Sequence, residues 1–544
     1  MESGREILAA LLAPTISQSE ALKGQEGWVQ EARDFLRATL GLSVKTRGKT
    51  WSALADELWR YVLFSEFVFD LPVALPDTLK GVPHAPMEAR ALDLKVIGEI
   101  PKDLHGAYYR NGPNPVHAPK ALHHWFDGDG MLHAVRFNRG RVSYRNRWIE
   151  TGALREERAA GQALWHGLKE PQRSDRPDEP LKNTSNTDVK YHAGRLITMW
   201  YRSGMPYAVD PDTLLTLGTA DYGGAINRIS AHSRPDEHTG ELLFFDYGLQ
   251  APYMQYGVIG PDRQLKHRID VPLPGPSLPH DMAVTEHYTI LHDFPLRPDP
   301  QALAAGRYKL RFHADQPSRF AVVPRYGRTD EIRWFEAKPC YLLHVVNAWE
   351  DGDEVVMVGT PYRMHEGPDG RPDARRLEQT IHLRQRDFLL YEWRFNLRTG
   401  QTRERVIDDV LNTEFPVINS LYQGRKNRWS YNVVFPPGGR EEPRFPGLVK
   451  YDLETGGYVA YSAGPRYFYN EPGFAPRDDS QAEDDGYLVM PVWNPVEQRS
   501  EIQVFDCKDA RLAQGPVARV LMPRRIPHGF HATFVSQQTL NRWK

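Results

Sequence analysis

Cysteine, net charge and uninterrupted apolar runs are all scarce in this sequence. The 544 residues include only two cysteines, Cys340 and Cys507. Two cysteines exclude a disulfide framework and a cysteine-ligated zinc site, and they favour a reducing compartment. Lys and Arg number 68 against 70 for Asp and Glu, which gives a net charge of −2. Because no basic stripe stands out either, we expect no nucleic-acid partner.

No segment has the length and apolar character of a membrane-spanning helix. The longest apolar stretch, from Trp59 to Leu75, is interrupted by charged residues and a proline, whereas a spanning helix needs about 20 mostly apolar residues. A shorter run from Ile7 to Leu12 lacks the basic flank and the length of a secretory signal. The sequence therefore predicts a cytoplasmic protein.

The chain changes character near Pro76. Before that point apolar residues recur at helical spacing, and Thr50 is placed to cap a second helix, so residues 1–76 are predicted to form a helical extension. Beyond it, short apolar runs alternate with turn signals, and the chain contains 43 Gly and 43 Pro. Residues 77–544 are accordingly predicted to form an all-β domain.

One turn pattern recurs through this β domain. Asp or Asn begins a turn and Gly ends it at Asp236–Gly240, Asn396–Gly400 and Asp452–Gly456, with a variant at Asp210–Leu214. The side chain initiates the turn and Gly supplies the positive φ. Repeated hairpins over about 450 residues favour a β-propeller of four-stranded blades. A pair of β-sandwiches is the alternative, and the repeat is too loose to count blades.

Four of the 20 histidines lie in apolar strands or at strand ends: His232, His280, His344 and His531. A buried imidazole in such a place is costly unless it is paired or bound to a metal. Because strand ends converge on a propeller axis, histidines from four blades could bind one ion. Their spacing matches no local metal motif, so ordinary core histidines remain the alternative at this point.

Several longer motifs resemble those of the carotenoid cleavage oxygenase family. They run in the family's order from about Leu92 to the C-terminus and comprise Gly106–Pro115, His124–Val135, Pro279–Asp281, Ala475–Arg477, Ala482–Gly486 and Gly529–His531. The first 75 or so residues are not covered by the resemblance.

This resemblance implies a seven-bladed propeller with Fe(II) on its axis, held by His232, His280, His344 and His531. The family's Gly-Phe-His pattern selects His531 over the neighbouring His528. Four neutral imidazoles leave two of six coordination positions for O2 and substrate. In the reaction that the family implies, both atoms of O2 add across a C=C bond, which breaks into two carbonyls.

The resemblance also implies three glutamates that orient the ligands by accepting the free ring N–H. Glu414 and Glu471 match two of them and are expected to serve His344 and His531. At the third position, which should serve His280, this chain has Tyr201, an uncharged phenol. Thr187 matches a family position beside the open side of the metal.

The family divides between polyene and phenolic substrates. In its stilbene-cleaving branch a Tyr and a Lys bind the phenol, and the matching positions here are Leu168 and Trp200. Neither can charge-pair with a phenol, so we expect an apolar alkene, a carotenoid or apocarotenoid. The alternatives are a stilbene or phenylpropene substrate, and a polyene-binding or isomerising propeller without oxygenase activity, which Tyr201 motivates.

Carotenoids partition into bilayers, so peripheral membrane contact is expected. The apolar segment Tyr61–Leu71 is one docking surface; packing of this helix on the propeller is the other interpretation.

Overall fold

The computed structural model describes residues 88–117, 125–168, 175–176, 179–304, 309–367, 373–374, 377, 387–436, 445–478, 480, 482–523 and 525–543. The predicted helical extension, its boundary at residue 76 and the segment Tyr61–Leu71 lie outside these residues. Within them, no helix is both long and apolar enough to cross a bilayer.

The strands of the described residues form a seven-bladed β-propeller, so the prediction of a propeller is confirmed and the pair of β-sandwiches is wrong. Five blades are built from consecutive antiparallel segments. Blade 2 contains β6 (Asp188–His192), β7 (Arg195–Met199), β8 (Tyr207–Val209) and β9 (Thr216–Thr219); blade 3 contains β10 (Arg234–Pro235), β11 (Leu242–Tyr247), β12 (Met254–Ile259) and β13 (Leu265–Asp270). Blade 4 contains β14 (Ala283–Val284), β15 (Tyr288–Asp293), β18 (Ser318–Pro324) and β19 (Arg333–Ala337); a separate pair, β16 (Leu296–Pro298) and β17 (Leu310–Phe312), lies within its connection. Blade 5 contains β20 (Leu342–Asp351), β21 (Glu354–Pro361), β22 (Leu390–Asn396) and β23 (Thr402–Asp408); blade 6 contains β24 (Thr413–Val417), β25 (Trp429–Val434), β26 (Gly447–Asp452) and β27 (Tyr458–Ser462).

The other two blades close the ring because each joins strands from both ends of the described chain. Blade 7 combines β2 (Val96–Gly98) with β28 (Phe468–Tyr469), β29 (Gly473–Pro476), β30 (Gly486–Asn494), β31 (Arg499–Asp506) and β32 (Ala518–Leu521). Blade 1 combines β1 (Arg90–Ala91), β3 (Gly106–Pro113), β4 (Gly130–Asn138) and β5 (Arg141–Trp148) with β33 (Ala532–Ser536). In blade 1, β33 pairs antiparallel with β3, with Ala107 opposite Val535.

Three short helices accompany the strands in the described residues. They are α1 (Gly152–Ala160), α2 (Pro300–Ala304) and α3 (Gln537–Arg542). Helix α1 is capped at its N-terminus by the Thr151 side chain, which accepts from the backbone N–H of Leu154, and it ends at Gly161, which has a φ of 67°. Both ends thus follow the usual capping chemistry of helices.

The repeated turn pattern lies at hairpins, as predicted. Asp236, Asn396 and Asp452 each accept backbone N–H donors with a side-chain oxygen, for example from His238, Arg398 and Glu454. The glycines that end these turns have φ values of 73°, 74° and 75°. In the variant, Leu214 takes a left-handed φ of 58° without being glycine, which explains why that turn looks different in sequence.

The core is continuous between neighbouring blades and rich in aromatic residues. The largest cluster runs from blade 3 through blade 7 and includes Tyr256, Phe320, Trp393, Tyr431 and Phe505. Packing of blade against blade buries both faces of most strands. The first strand of each blade lies nearest the central axis.

Candidate metal centre

The four predicted histidines come from four blades. His344 lies in β20, while His232, His280 and His531 lie two, three and one residues before β10, β14 and β33, respectively. Each of these strands is the edge strand of its sheet. The four histidines therefore meet on the axis although no two are close in sequence.

The four imidazole rings pack against one another. Ligand nitrogens of His232, His280 and His344 all lie within 4.8 Å of one another. The ring centre of His531 lies 4.4 Å from that of His232 and 4.7 Å from that of His344. The rings from four blades thus form one cluster, in which ligand nitrogens of three histidines are close enough to share an ion.

His344 forms a hydrogen bond with Glu414, the residue that the sequence motifs assign to it. Its Nδ1 donates to Oε2 of Glu414 at 2.6 Å. The carboxylate also accepts from the hydroxyl of Thr360 at 2.8 Å and from the backbone N–H of Phe415. Three donors hold the carboxylate, so the Nδ1 of His344 is committed and only Nε2 remains to bind a metal.

His531 is paired with Glu471 in the same manner. Its Nδ1 donates to Oε2 of Glu471 at 3.0 Å, and the backbone N–H of Ala532 donates to the same oxygen at 2.7 Å. The hydroxyl of Tyr108 donates to the backbone carbonyl of Glu471 at 2.8 Å. Glu471 is thus fixed from both its main chain and its side chain.

His280 differs from these two ligands. No described residue forms a hydrogen bond with its ring, and the Tyr201 hydroxyl does not replace the missing glutamate. The ring of Tyr201 instead lies between the rings of Phe126 and Trp200, with centres 5.1 and 5.8 Å away. The carboxylate that this position has in relatives, according to the sequence resemblance, is therefore not substituted by the phenol.

His232 is held through its backbone. Its N–H donates to Oδ2 of the fully buried Asp188 at 2.9 Å, and the residue takes a left-handed φ of 69°. Such a conformation is costly for a residue other than glycine and persists only when neighbours enforce it. Burial raises the pKa of Asp188, but the nearby Lys190 ammonium and donated hydrogen bonds outweigh it, so the carboxyl pKa is lowered.

The low pKa values of two of the histidines suit metal binding. Burial, and then repulsion from the neighbouring imidazoles, holds the pKa of His232 and of His280 well below the usual value. For His344 burial also lowers the pKa, but Glu414 raises it by more, and the net pKa is raised. Neutral imidazole is the metal-binding form, so His232 and His280 are ready to bind at neutral pH.

Buried nitrogens without partners support the same conclusion. Nε2 of His232 and Nε2 of His344 are both inaccessible to solvent and have no hydrogen-bond partner among the described residues. Buried polar atoms are nearly always satisfied, so two orphaned nitrogens facing one point fit a bound metal ion.

A comparison with known protein families agrees with this geometry. A family model described as retinal pigment epithelial membrane protein matches residues 83–536. The chain belongs to this family of carotenoid oxygenases. The resemblance inferred from the sequence motifs is thereby confirmed, and so is the prediction of an enzyme.

Relatives in the family differ in what they cleave. A carotenoid 9,10(9',10')-cleavage dioxygenase from Crocus sativus is 33% identical over 496 residues, which cover 83% of this chain and 87% of the relative. The crystal structure of lignostilbene dioxygenase from Pseudomonas brassicacearum has a TM-score of 0.73 and 29% identity, covering 83% of this chain and 96% of that one. The crystal structure of a cobalt-substituted apocarotenoid oxygenase from Synechocystis has a TM-score of 0.72 and 27% identity. The match covers 85% of this chain and 98% of that one. The chain is thus a dioxygenase of the carotenoid oxygenase family and has a metal site.

Thr187 lies beside the histidine cluster in this carotenoid oxygenase. Its carbonyl accepts from the backbone N–H of His531 at 3.1 Å, and its hydroxyl accepts from the N–H of Tyr201 and donates to Asn186, both at 3.1 Å. The hydroxyl is thus engaged in local structure, and the contact with His531 is made by the main chain.

Trp200 begins a row of aromatic rings that ends at the residue before His531. The row continues through Tyr201 and Phe126 to Phe530, which precedes His531, with successive ring centres 5.8, 5.1 and 4.8 Å apart. Trp200 is buried, and its indole N–H has no hydrogen-bond partner among the described residues. We call Trp200, Tyr201, Phe126 and Phe530 the aromatic row.

Leu168 is half-buried and is fixed to the same region by its main chain. Its backbone N–H donates to Oδ1 of Asp127 at 3.0 Å, and Asp127 follows Phe126 of the aromatic row. The structure therefore places the Leu168 main chain against the residue that follows Phe126, while the Leu168 side chain carries no polar atom.

His528 lies apart from the cluster of the four histidines. Its ring packs against that of Phe468, with 3.4 Å between centres and an angle of 31° between the planes. Burial lowers its pKa well below the usual value, so this histidine is a neutral core residue.

Sequence reasoning missed Phe415. It follows Glu414 with a left-handed φ of 52°, and its ring centre lies 5.3 Å from that of His344 and 5.5 Å from that of His531. A bulky residue in this conformation is a strained exception. Nothing in the sequence signals this conformation, because a residue before proline is biased toward extended backbone with negative φ.

Proposed function

We propose that this chain is an Fe(II)-dependent dioxygenase that cleaves a C=C bond of a carotenoid or apocarotenoid into two carbonyl products. His232, His280, His344 and His531 would hold the iron. When bound, Fe(II) supplies the activation of O2 that oxidation of an unactivated alkene requires. Because carotenoids partition into bilayers, the proposal places a cytoplasmic enzyme at a membrane surface.

The residues of the chain supply orientation and exclusion of water. Glu414 and Glu471 accept hydrogen bonds from the Nδ1–H groups of His344 and His531. These bonds fix the ring tautomers and direct Nε2 of both rings away from the carboxylates. Phe415 packs against both rings and shields them. The site is thereby rigid on the side of His344 and His531.

The aromatic row is the observation that carries the choice of substrate. Its four rings lead from Trp200 to the residue before His531 without a charged group among them. Flat apolar rings suit a conjugated polyene. A phenolate would instead need a cation, and Trp200 and Leu168 provide none.

A stilbene or phenylpropene is the second candidate, since a lignostilbene dioxygenase is a structural relative. A polyene-binding or isomerising protein without oxygenase activity is the third. It is favoured by the lack of any hydrogen bond between His280 and the described residues, because a loosely oriented ligand would weaken retention of iron.

The decisive experiment is aerobic incubation of the Fe(II)-loaded protein with one carotenoid, one apocarotenal and one hydroxystilbene, with products identified by mass spectrometry. Aldehydes from a polyene alone are expected, and 18O2 should label both carbonyls. Aldehydes from the stilbene alone would establish the second candidate. A polyene recovered unchanged or isomerised from iron-containing protein would overturn the oxygenase proposal. The His344→Ala variant, treated identically, is the control for free iron.

A further inference from the structure

A buried ion pair links the segments that carry the ligands. Arg234, in β10, lies two residues after His232, and Asp281 immediately follows His280. Nη2 of Arg234 lies 2.7 and 2.6 Å from the two carboxylate oxygens of Asp281, and Nε donates to the carbonyl of Met282 at 3.1 Å. The Asp281 side chain is 1% exposed and that of Arg234 is 16% exposed. The pair thus joins blade 3 to blade 4 directly behind two of the histidines.

The same carboxylate reaches a third blade. Oδ2 of Asp281 accepts from the backbone N–H of Val345, next to His344, at 2.8 Å, while Oδ1 accepts from the N–H of Met282 at 2.7 Å. One buried carboxylate therefore contacts the segments carrying His232, His280 and His344. These are the three histidines whose ligand nitrogens lie within 4.8 Å of one another.

This connection matters most for His280. The rings of His344 and His531 are oriented by Glu414 and Glu471, but no described residue forms a hydrogen bond with the ring of His280. Its place must then be set by its main chain, and the residue that follows it is the one anchored by Arg234. Because Asp281 is buried, Arg234 is only partly exposed and both are multiply hydrogen-bonded, they leave the chain little freedom there.

We infer that Arg234 and Asp281 are positioning residues that hold His280 in the metal site through its backbone, in place of the missing ring carboxylate. This inference rests on the metal site of the proposed function. A pair that only stabilised the propeller would leave the properties of the bound metal unchanged, and this difference separates the two roles.

The test is metal binding by the Asp281→Asn protein in its full-length form, titrated with Co(II) after removal of metal. Asparagine keeps the shape but cannot accept from Arg234 and both backbone N–H groups as the carboxylate does. We expect the Co(II) dissociation constant to rise about 10- to 100-fold, with a changed visible absorption spectrum of the bound Co(II).

The matched control is Glu501→Gln. Glu501 is also fully buried and paired with an arginine, Arg519, at 2.8 Å, but it contacts none of the segments that carry the histidines. Its loss should lower the melting temperature of the metal-free protein without changing the Co(II) spectrum or dissociation constant. Unchanged Co(II) binding by folded Asp281→Asn protein, whatever its melting temperature, would overturn the inference.

A second variant covers the case in which Asp281→Asn does not fold. Arg234→Lys keeps the positive charge but cannot contact the carboxylate and the Met282 carbonyl together, and it should weaken Co(II) binding at least about fivefold. Binding equal to wild type would again contradict the positioning role. If the wild-type protein itself bound no Co(II), the proposed function would fail, which is a different outcome.

Discussion

The Nδ1 of His344 lies 2.6 Å from Oε2 of Glu414, and Nε2 on the other side of the same ring has no partner among the described residues. The Nδ1 edge of this imidazole is therefore fixed by the protein, and the Nε2 edge is directed at the cluster of histidines. This division of the ring is the arrangement that a metal ligand requires.

His344→Ala is accordingly expected to abolish metal retention and alkene cleavage, because it removes a ligand and leaves the buried Glu414 carboxylate with two donors instead of three. His528→Ala is the matched comparison, since that ring packs against Phe468 outside the cluster. It should lose about 1–3 kcal/mol of stability and retain its metal. For both variants, elemental analysis measures the metal content and an activity assay measures alkene cleavage. The reverse result would show that the last ligand is misassigned.

Replacing Tyr201 separates its ring from its hydroxyl. Tyr201→Phe should bind metal as tightly as wild type, because the hydroxyl makes no hydrogen bond to His280. Tyr201→Glu restores the carboxylate that the family pattern has there and should tighten metal binding, at some loss of stability from the broken contacts with Phe126 and Trp200. Metal dissociation constants measure both effects. Weaker binding in Tyr201→Glu would mean that the site is adapted to the phenol.

Trp200 is expected to control the choice of substrate. Trp200→Lys should lower kcat/KM for a polyene at least about tenfold, because the substrate must then pack against a desolvated ammonium. Trp200→Phe should keep most of that activity. Combining Trp200→Lys with Leu168→Tyr should raise turnover of a hydroxystilbene. Unchanged kinetics of Trp200→Lys on both substrate types would show that this residue is only packing.

The two cysteines should be inert in the folded protein. Both are buried, and burial raises the pKa of Cys340 to about 12 and that of Cys507 still higher. Thiolate is the reactive form, so a thiol reagent at pH 8 should modify neither residue until denaturant is added. Counting labelled thiols by mass spectrometry before and after unfolding checks this. Rapid labelling of native protein would contradict the burial of these side chains.

Glu501 should make stability depend on pH in acid. Burial raises its pKa, but hydrogen bonds from Arg519, Asn494 and Gln503 outweigh this, so the pKa in the folded state is lowered. The contribution of Glu501 to the free energy of unfolding is then present above the pKa of the unfolded state, about 4.3. It is lost as the pH falls through the lower pKa of the folded state. The difference in free energy of unfolding between wild type and Glu501→Gln should therefore shrink from pH 6 to pH 3. Denaturant titrations of the metal-free proteins measure it, and a constant difference would be inconsistent with the pairing.

The sequence predicted the fold class through its turns, because Asp236–Gly240 and its relatives are local features in which the side chain and the glycine act within five residues. It could not count the blades. Closure of the ring depends on pairing between β3 and β33 and between β2 and β32, which are separated by most of the chain. Such pairing leaves no periodic signal in the sequence.

The site was predictable only in part for the same reason. His232, His280, His344 and His531 were identified through the resemblance of whole motifs, since their spacing matches no local metal motif. Glu414 and Glu471 also followed from motifs, and the structure places both on the expected histidines. The contacts of Arg234 with Asp281 and of Phe415 with two ligand rings arise from tertiary packing between blades, which residue patterns along one strand do not encode.

The strand that closes the propeller begins immediately after His531, so the last ligand and the last structural pairing reach their places together. During synthesis on the ribosome, a chain that ends before this point has three of the four histidines and an open ring. The centre is therefore assembled only when translation has passed residue 536 and β33 has docked on β3. In the proposed enzyme, an unfinished chain therefore lacks its fourth metal ligand.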